Sequence, residues 1–243
     1  MKRLIIAVIA MVFVSAGTAM ADFDMSPFLQ NGKLIVGGLD HHGNREAPPI
    51  SVFGYEFGED QYDPFNPSDP GVQQAIGVGD LPVGAQIKYN ILSSLLYWDG
   101  SGDVNFGDPG DTYMTLLLGT SLRTLTGTSG VQTGSLIQSV ATGGYVHKHF
   151  TTSLYAYDGA GNIPDDSGYV EPLAGIYAFS MELTLTLSDG TVYTSDPIWI
   201  VWNNGMSEDT LDAAMAAVPE PATLSLLALG GLAMLRRRRR TIA

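Results

Sequence analysis

The 243-residue chain contains no cysteine. This excludes disulfides, a thiol nucleophile and any thiolate metal site, so a domain built from it rests on its core or on bound ions. Basic residues are nearly as scarce, with 12 Lys+Arg against 25 Asp+Glu and a net charge of −13. Seven of them crowd the ends, as Lys2, Arg3 and the run Arg236, Arg237, Arg238, Arg239, Arg240. Residues 22–218 keep only Lys33, Arg45, Lys88, Arg123 and Lys148 against 24 acids, a net charge of −19. Such a body repels nucleic acid and anionic lipid and attracts cations, so no nucleic-acid partner is expected. Catalytic signatures are also missing. There is no Gly-x-Ser-x-Gly elbow, no His-Glu-x-x-His pair and no phosphate loop, and the chain does not read as an enzyme. Two carboxylates can cleave glycosides, but among 24 acids a neighbouring pair carries no information.

What is present begins at the two ends. Residues 1–21 have the three parts of a secretory signal peptide: basic Lys2 and Arg3, apolar Leu4 to Val14, and the small-x-small site Ala19-Met20-Ala21. The apolar part rises only ~16 Å as a helix, too little for a hydrocarbon core of ~30 Å. The mature chain is therefore expected to begin at Asp22, with the export machinery and signal peptidase as partners.

The opposite end, 218–243, carries Pro219-Glu220-Pro221, an apolar stretch from Ala222 to Leu235, and the five arginines Arg236 to Arg240. The apolar stretch spans about 21 Å as a helix, and Gly230 and Gly231 weaken it. The arginines hold their end in the cytoplasm, leaving the body outside. A short span behind a distinctive peptide suits a processing handle better than a permanent anchor. This arrangement resembles the PEP-CTERM sorting signal of bacterial envelope proteins. The resemblance implies recognition by an exosortase-type membrane protease, a transient single-pass membrane intermediate, and a destination at the cell surface or in an extracellular matrix associated with exopolysaccharide. It implies nothing about the activity of the body.

Residues 22–206 read as one all-β domain, an antiparallel β-sandwich or jelly roll. Its clearest strand is Ile176 to Leu187, where Tyr177, Phe179, Met181, Leu183, Leu185 and Leu187 alternate with smaller or polar residues. Asp189-Gly190 then marks a hairpin, and Val192–Thr194 and Ile198–Trp202 return the chain. Further candidates are Lys33–Val36, Ser51–Phe57, Gln86–Trp98, Thr112–Leu118, Gln132–Ala141 and Gly144–Tyr157. The proline-rich stretch Glu59–Pro82 and the glycine-containing stretch Asp158–Pro172 read as long irregular loops. A short helix is expected over 207–217, capped by Ser207 and stopped by Pro219, before the C-terminal hydrophobic sorting helix.

Two residue clusters carry candidate chemistry. All four histidines fall in two tight groups, His41-His42 and His147/His149. On a strand, His147 and His149 share a face ~7 Å apart, a spacing that suits one zinc-type ion, with His41, His42 or a carboxylate completing the set. The alternative is a polar strand face of stacked aromatic and imidazole rings. Asp99, Ser101, Asp103 and Asn105 resemble the first half of a calcium loop. Val104 stands where that loop needs its turn glycine and Gly110 where it needs its glutamate, which leaves an Asx-rich turn as the other reading. No cofactor is otherwise expected. Tyr55, Tyr62, Tyr97, Trp98, Trp199 and Trp202 are available to a carbohydrate, although aromatics in a body of this size usually pack in the core. The segments Leu95–Phe106, Val146–Phe150 and Ser195–Gly205, in this order, also resemble secreted PEP-CTERM proteins of planctomycetes and similar bacteria. That resemblance implies one exported β domain and draws attention to the His-x-His element. The chain is thus expected to be a non-enzymatic envelope or matrix component, with a metal- or glycan-binding surface module as the alternative.

Overall fold

The structure, a computed structural model, describes residues 18–21, 23–40, 49–58, 65–74, 81–157 and 170–218. The signal-peptide body, His41, His42, Tyr62 and the whole sorting segment after Val218 lie outside the described residues. Among the described residues, fifteen strands and one helix follow one another. The first five are β1 (Thr18–Ala21), β2 (Asp24–Gln30), β3 (Lys33–Leu39), β4 (Ile50–Phe57) and β5 (Gly71–Gln73). Next come β6 (Gln86–Ile91), β7 (Leu96–Trp98), β8 (Thr112–Leu118), β9 (Ser121–Leu125) and β10 (Gln132–Ser139). The last are β11 (His147–His149), β12 (Thr151–Ala156), β13 (Gly175–Thr186), β14 (Val192–Thr194), β15 (Ile198–Asn204) and α1 (Glu208–Ala217).

The described residues are mostly strand with one short helix, as the sequence pattern indicates. Its strands form an eight-stranded sheet built on the path β1-β4-β15-β13-β6-β10, a four-stranded sheet β11-β5-β2-β3 and a three-stranded sheet β12-β8-β9. Most pairs are antiparallel, but β15 and β4, β1 and β4, and β2 and β5 run parallel. The large sheet is therefore mixed, a feature that alternation of side chains within a strand cannot report.

Strand β13 lies at the centre of the large sheet and shows why it is layered. Tyr177, Phe179, Met181, Leu183 and Leu185 enter the main core, with Phe53, Tyr55, Ile200 and Trp202 from the same face of β4 and β15. The two smaller sheets close over this face with Met25, Leu34 and Val72, and with Met114, Leu116 and Leu154. The opposite face is covered too. Ile176 and Ala178 join Val52, Val201 and Trp98 beneath Leu211, Ala214 and Met215 of α1. This explains why the alternation in β13 gives way to continuous burial over its first half, while Glu182, Thr184 and Thr186 stay half-exposed past the helix. The Asp189-Gly190 turn forms as its residues require. Gly190 adopts φ +88°, and Asp189 accepts the Thr191 backbone N–H at 2.9 Å.

The helix begins where its cap lies. Ser207 Oγ accepts the Thr210 N–H at 3.3 Å, and Glu208 and Asp209 occupy the first turn, where the helix dipole favours acids. Val218 is buried at the far end, directly before Pro219. Leu211→Ala is expected to lower stability by about 2–4 kcal/mol through cavity formation. Substituting the exposed Asp212 with Ala should change it by less than about 0.5 kcal/mol. Urea unfolding midpoints of the two variants check both values.

Candidate metal centre

The strand expected over Gly144–Tyr157 divides at Phe150. β11 belongs to the four-stranded sheet and β12 to the three-stranded one. Phe150 is buried at the crossing, edge-on to Tyr89 with ring centroids 5.0 Å apart. Val146 and Leu154 are buried with it, as the alternation indicates. Ser153, which strict alternation along Gly144–Tyr157 would put on the same face as His147 and His149, is buried as well, because β12 packs in a different sheet.

The proline-rich stretch contains more order than its composition suggests. Backbone bonds run from Gln74 N to Val146 O, Phe150 N to Pro70 O, Thr152 N to Pro67 O and Leu154 N to Phe65 O, all at 3.0–3.2 Å. The Thr152 hydroxyl also donates to the Asp69 carbonyl. β5 arises inside this run and pairs antiparallel with β11, setting Gly71 opposite His149 and Gln73 opposite His147. On its other side β5 meets β2, with Met25 opposite Val72. Asp24, the first residue of β2, is thereby brought beside Gly71.

His149, Gly71 and Asp24 thus lie in one row across three strands. Gly71 is the floor of this row. A Cβ there would overlap the Asp24 carboxylate and stand 2.8 Å from His149 Cε1. Only a residue without a side chain lets the carboxylate and the imidazole approach over this position. One donor atom each from Asp24, His147 and His149 lie within 4.8 Å of one another. His147 Nε2 and His149 Nε2 are 2.8 Å apart, and Asp24 Oδ2 is 3.9 Å from His149 Nε2.

Both imidazoles are held from behind. His149 Nδ1 is 2.9 Å from the Ser68 carbonyl and 3.7 Å from Asp69 Oδ1, and His147 Nδ1 is 2.9 Å from the Tyr145 hydroxyl. A carbonyl only accepts, so neutral His149 carries its proton on Nδ1 and presents a bare Nε2. That nitrogen accepts from His147 Nε2–H, whose Nδ1 in turn accepts from Tyr145. Asp69 is the largest influence on the His149 pKa and raises it. Partial burial opposes this, and Asp24 and the Ser68 carbonyl add to the rise.

The other expected site residues are placed differently. Asp99 Oδ1 accepts both the Ser101 N–H, at 2.9 Å, and the Ser101 hydroxyl, at 2.7 Å. These bonds close an Asx turn and hold the exposed Asp99 carboxyl below its usual range. Asp103 and Asn105 are exposed farther along the same loop. Of the aromatics considered for a sugar, Tyr55 and Trp202 are main-core residues, Trp98 seals the second core, and Tyr97 and Trp199 are half-buried. The pairing of His147 with His149 is visible in the sequence, whereas Asp24, Asp69 and Gly71 carry no sequence signal and come to them only through strand pairing and the loop before β5.

In comparisons with known proteins, residues 217–240 match the model of the PEP-CTERM protein-sorting motif. No curated protein and no solved structure matches the chain.

In metal-free buffer, His149⁺ paired with Asp69 and Asp24 contributes stability in full below the unfolded imidazole value of about 6.5. The contribution is lost as the pH rises through the higher folded-state value. Asp69→Asn removes its largest source. The stability difference between wild type and this variant should be greatest near about pH 5–6 and shrink towards about pH 9. Denaturation midpoints across this range test it, and a difference that grows with pH contradicts it.

Proposed function

From the premise that this chain carries a PEP-CTERM sorting motif and is exported and surface-sorted, we propose that an exosortase-type membrane protease processes its tail. In this reading the β body is delivered as a non-enzymatic component of the cell envelope or of an exopolysaccharide-associated matrix. The observation that carries the reading is the order of parts at the C-terminus: Pro219-Glu220-Pro221, an apolar stretch, then Arg236 to Arg240. The signal-peptide pattern of residues 1–21 supports the same topology, with the body outside. Among the described residues, no helix is long and apolar enough to cross a membrane.

The domain also runs directly into the motif. Val218 packs in the second core and its N–H bonds to the Ala214 carbonyl. In this reading the processing enzyme meets its peptide immediately beyond a folded surface, with no spacer between them. A body with 24 acids and five bases suits a hydrated matrix in which divalent cations bridge acidic groups.

Replacing Pro219-Glu220-Pro221 by three alanines should leave the tail attached and hold the protein in the membrane fraction. Mass spectrometry of the surface protein should find the wild-type chain without its five arginines. The intact arginine run on mature, surface-exposed wild-type protein contradicts the proposal.

A further inference from the structure

The row Asp24, Gly71, His149, together with His147, has a chemistry that the sorting motif does not address. Two imidazole nitrogens and a carboxylate oxygen converge at the protein surface. His149 is oriented by Ser68 and Asp69, and His147 by Tyr145. Metal-ligating histidines typically donate the distal ring N–H to a carboxylate, backbone carbonyl or water, as His149 does to the Ser68 carbonyl. A bond between the two imidazoles accounts for their own approach. It does not by itself require the glycine floor that admits Asp24 to the same point.

We propose that Asp24, His147 and His149 form a surface site for one late divalent transition-metal ion of the zinc type. Imidazole nitrogens favour such ions over calcium or magnesium, which prefer all-oxygen shells. The geometry requires only small movement. Ligand nitrogens on a tetrahedral zinc at 2.0–2.1 Å lie about 3.3 Å apart, so the two Nε2 atoms separate by about 0.5 Å from their 2.8 Å contact. With both imidazoles neutral, one proton must move: His149 presents a bare Nε2, whereas His147 must give up its Nε2 proton and carry one on Nδ1. There it donates to Tyr145, whose hydroxyl changes from donor to acceptor. Where His149 is an imidazolium, its Nε2 proton is released to solvent as the metal binds. With three protein donors, the fourth position faces solvent and takes water, as in zinc sites with an open coordination place.

The site has a structural consequence. Asp24 begins β2, and the two histidines make up the ends of β11, with β5 between them. An ion on these three donors clasps β2 to the edge strand β11 across β5. In a chain without cysteine, such a clasp does the work of a cross-link.

Isothermal titration of the full chain with zinc chloride tests the proposal, with thermal unfolding of the same samples. The expected result is one equivalent bound and an unfolding midpoint raised by several degrees. His147→Ala and His149→Ala should each weaken binding at least 100-fold, and Asp24→Asn at least tenfold. Gly71→Ala should weaken it comparably by displacing Asp24. Because that variant also strains the sheet, its zinc-free midpoint is measured beside it, and the histidine variants, at exposed positions, carry the decision. Lys148→Ala and the double variant His41→Ala/His42→Ala should bind as wild type. Calcium at millimolar concentration should not compete. Absence of zinc binding at millimolar levels overturns the proposal, as does affinity unchanged by joint replacement of His147 and His149. Loss of binding in the His41/His42 variant alone overturns the assigned ligand set.

Discussion

The backbone pairing of Phe65–Gln74 along Val146–Leu154 is the constraint on which the rest of this structure depends. It joins the four-stranded sheet to the three-stranded one through a continuous chain segment, buries Phe150 at the crossing and leaves the two histidines at the surface. The same pairing sets Gly71 against His149 and inserts β5 beside β2. Without it, the donors from β2 and β11 have no reason to meet. Each hydrogen bond in the run contributes about 0.5–1.5 kcal/mol. Its larger effect is to fix a proline-rich stretch whose own sequence prescribes no regular structure.

The parts of the fold legible in the sequence are those with a local cause. Period-2 alternation marks β13, Asp189-Gly190 marks its hairpin, and Ser207 with Glu208 and Asp209 marks the start of α1. β5 was hidden because three residues in a proline-rich run show no periodicity. β2 was hidden because Pro27 interrupts a short, weakly alternating stretch. The parallel pairings of β4 with β15 and of β2 with β5 arise from contacts distant in sequence. The candidate site divides along the same line. His147 and His149 are two residues apart on one strand, so their shared face follows from local geometry. Asp24 and Asp69 reach them only through sheet pairing and the pinned loop.

The charge distribution and the site fit one picture. Seven of the 12 basic residues lie in the terminal segments, so residues 22–218 are left with a net charge of −19. A protein destined for the cell surface without cysteine has no thiolate for metal binding and no disulfide for reinforcement. Imidazole and carboxylate donors over a glycine floor provide another means of joining strands, one that works in an oxidising environment. The sorting motif accounts for how such a body reaches the envelope, and the proposed clasp would be the chemistry it carries there.

X-ray absorption at the zinc edge of the zinc-loaded full chain reads the ligand shell itself. Two imidazole nitrogens and additional oxygen neighbours at about 2.0–2.2 Å are expected, with the imidazole scattering lost when His147 and His149 are replaced. An oxygen-only shell, or a spectrum unchanged by those replacements, would contradict the proposed site.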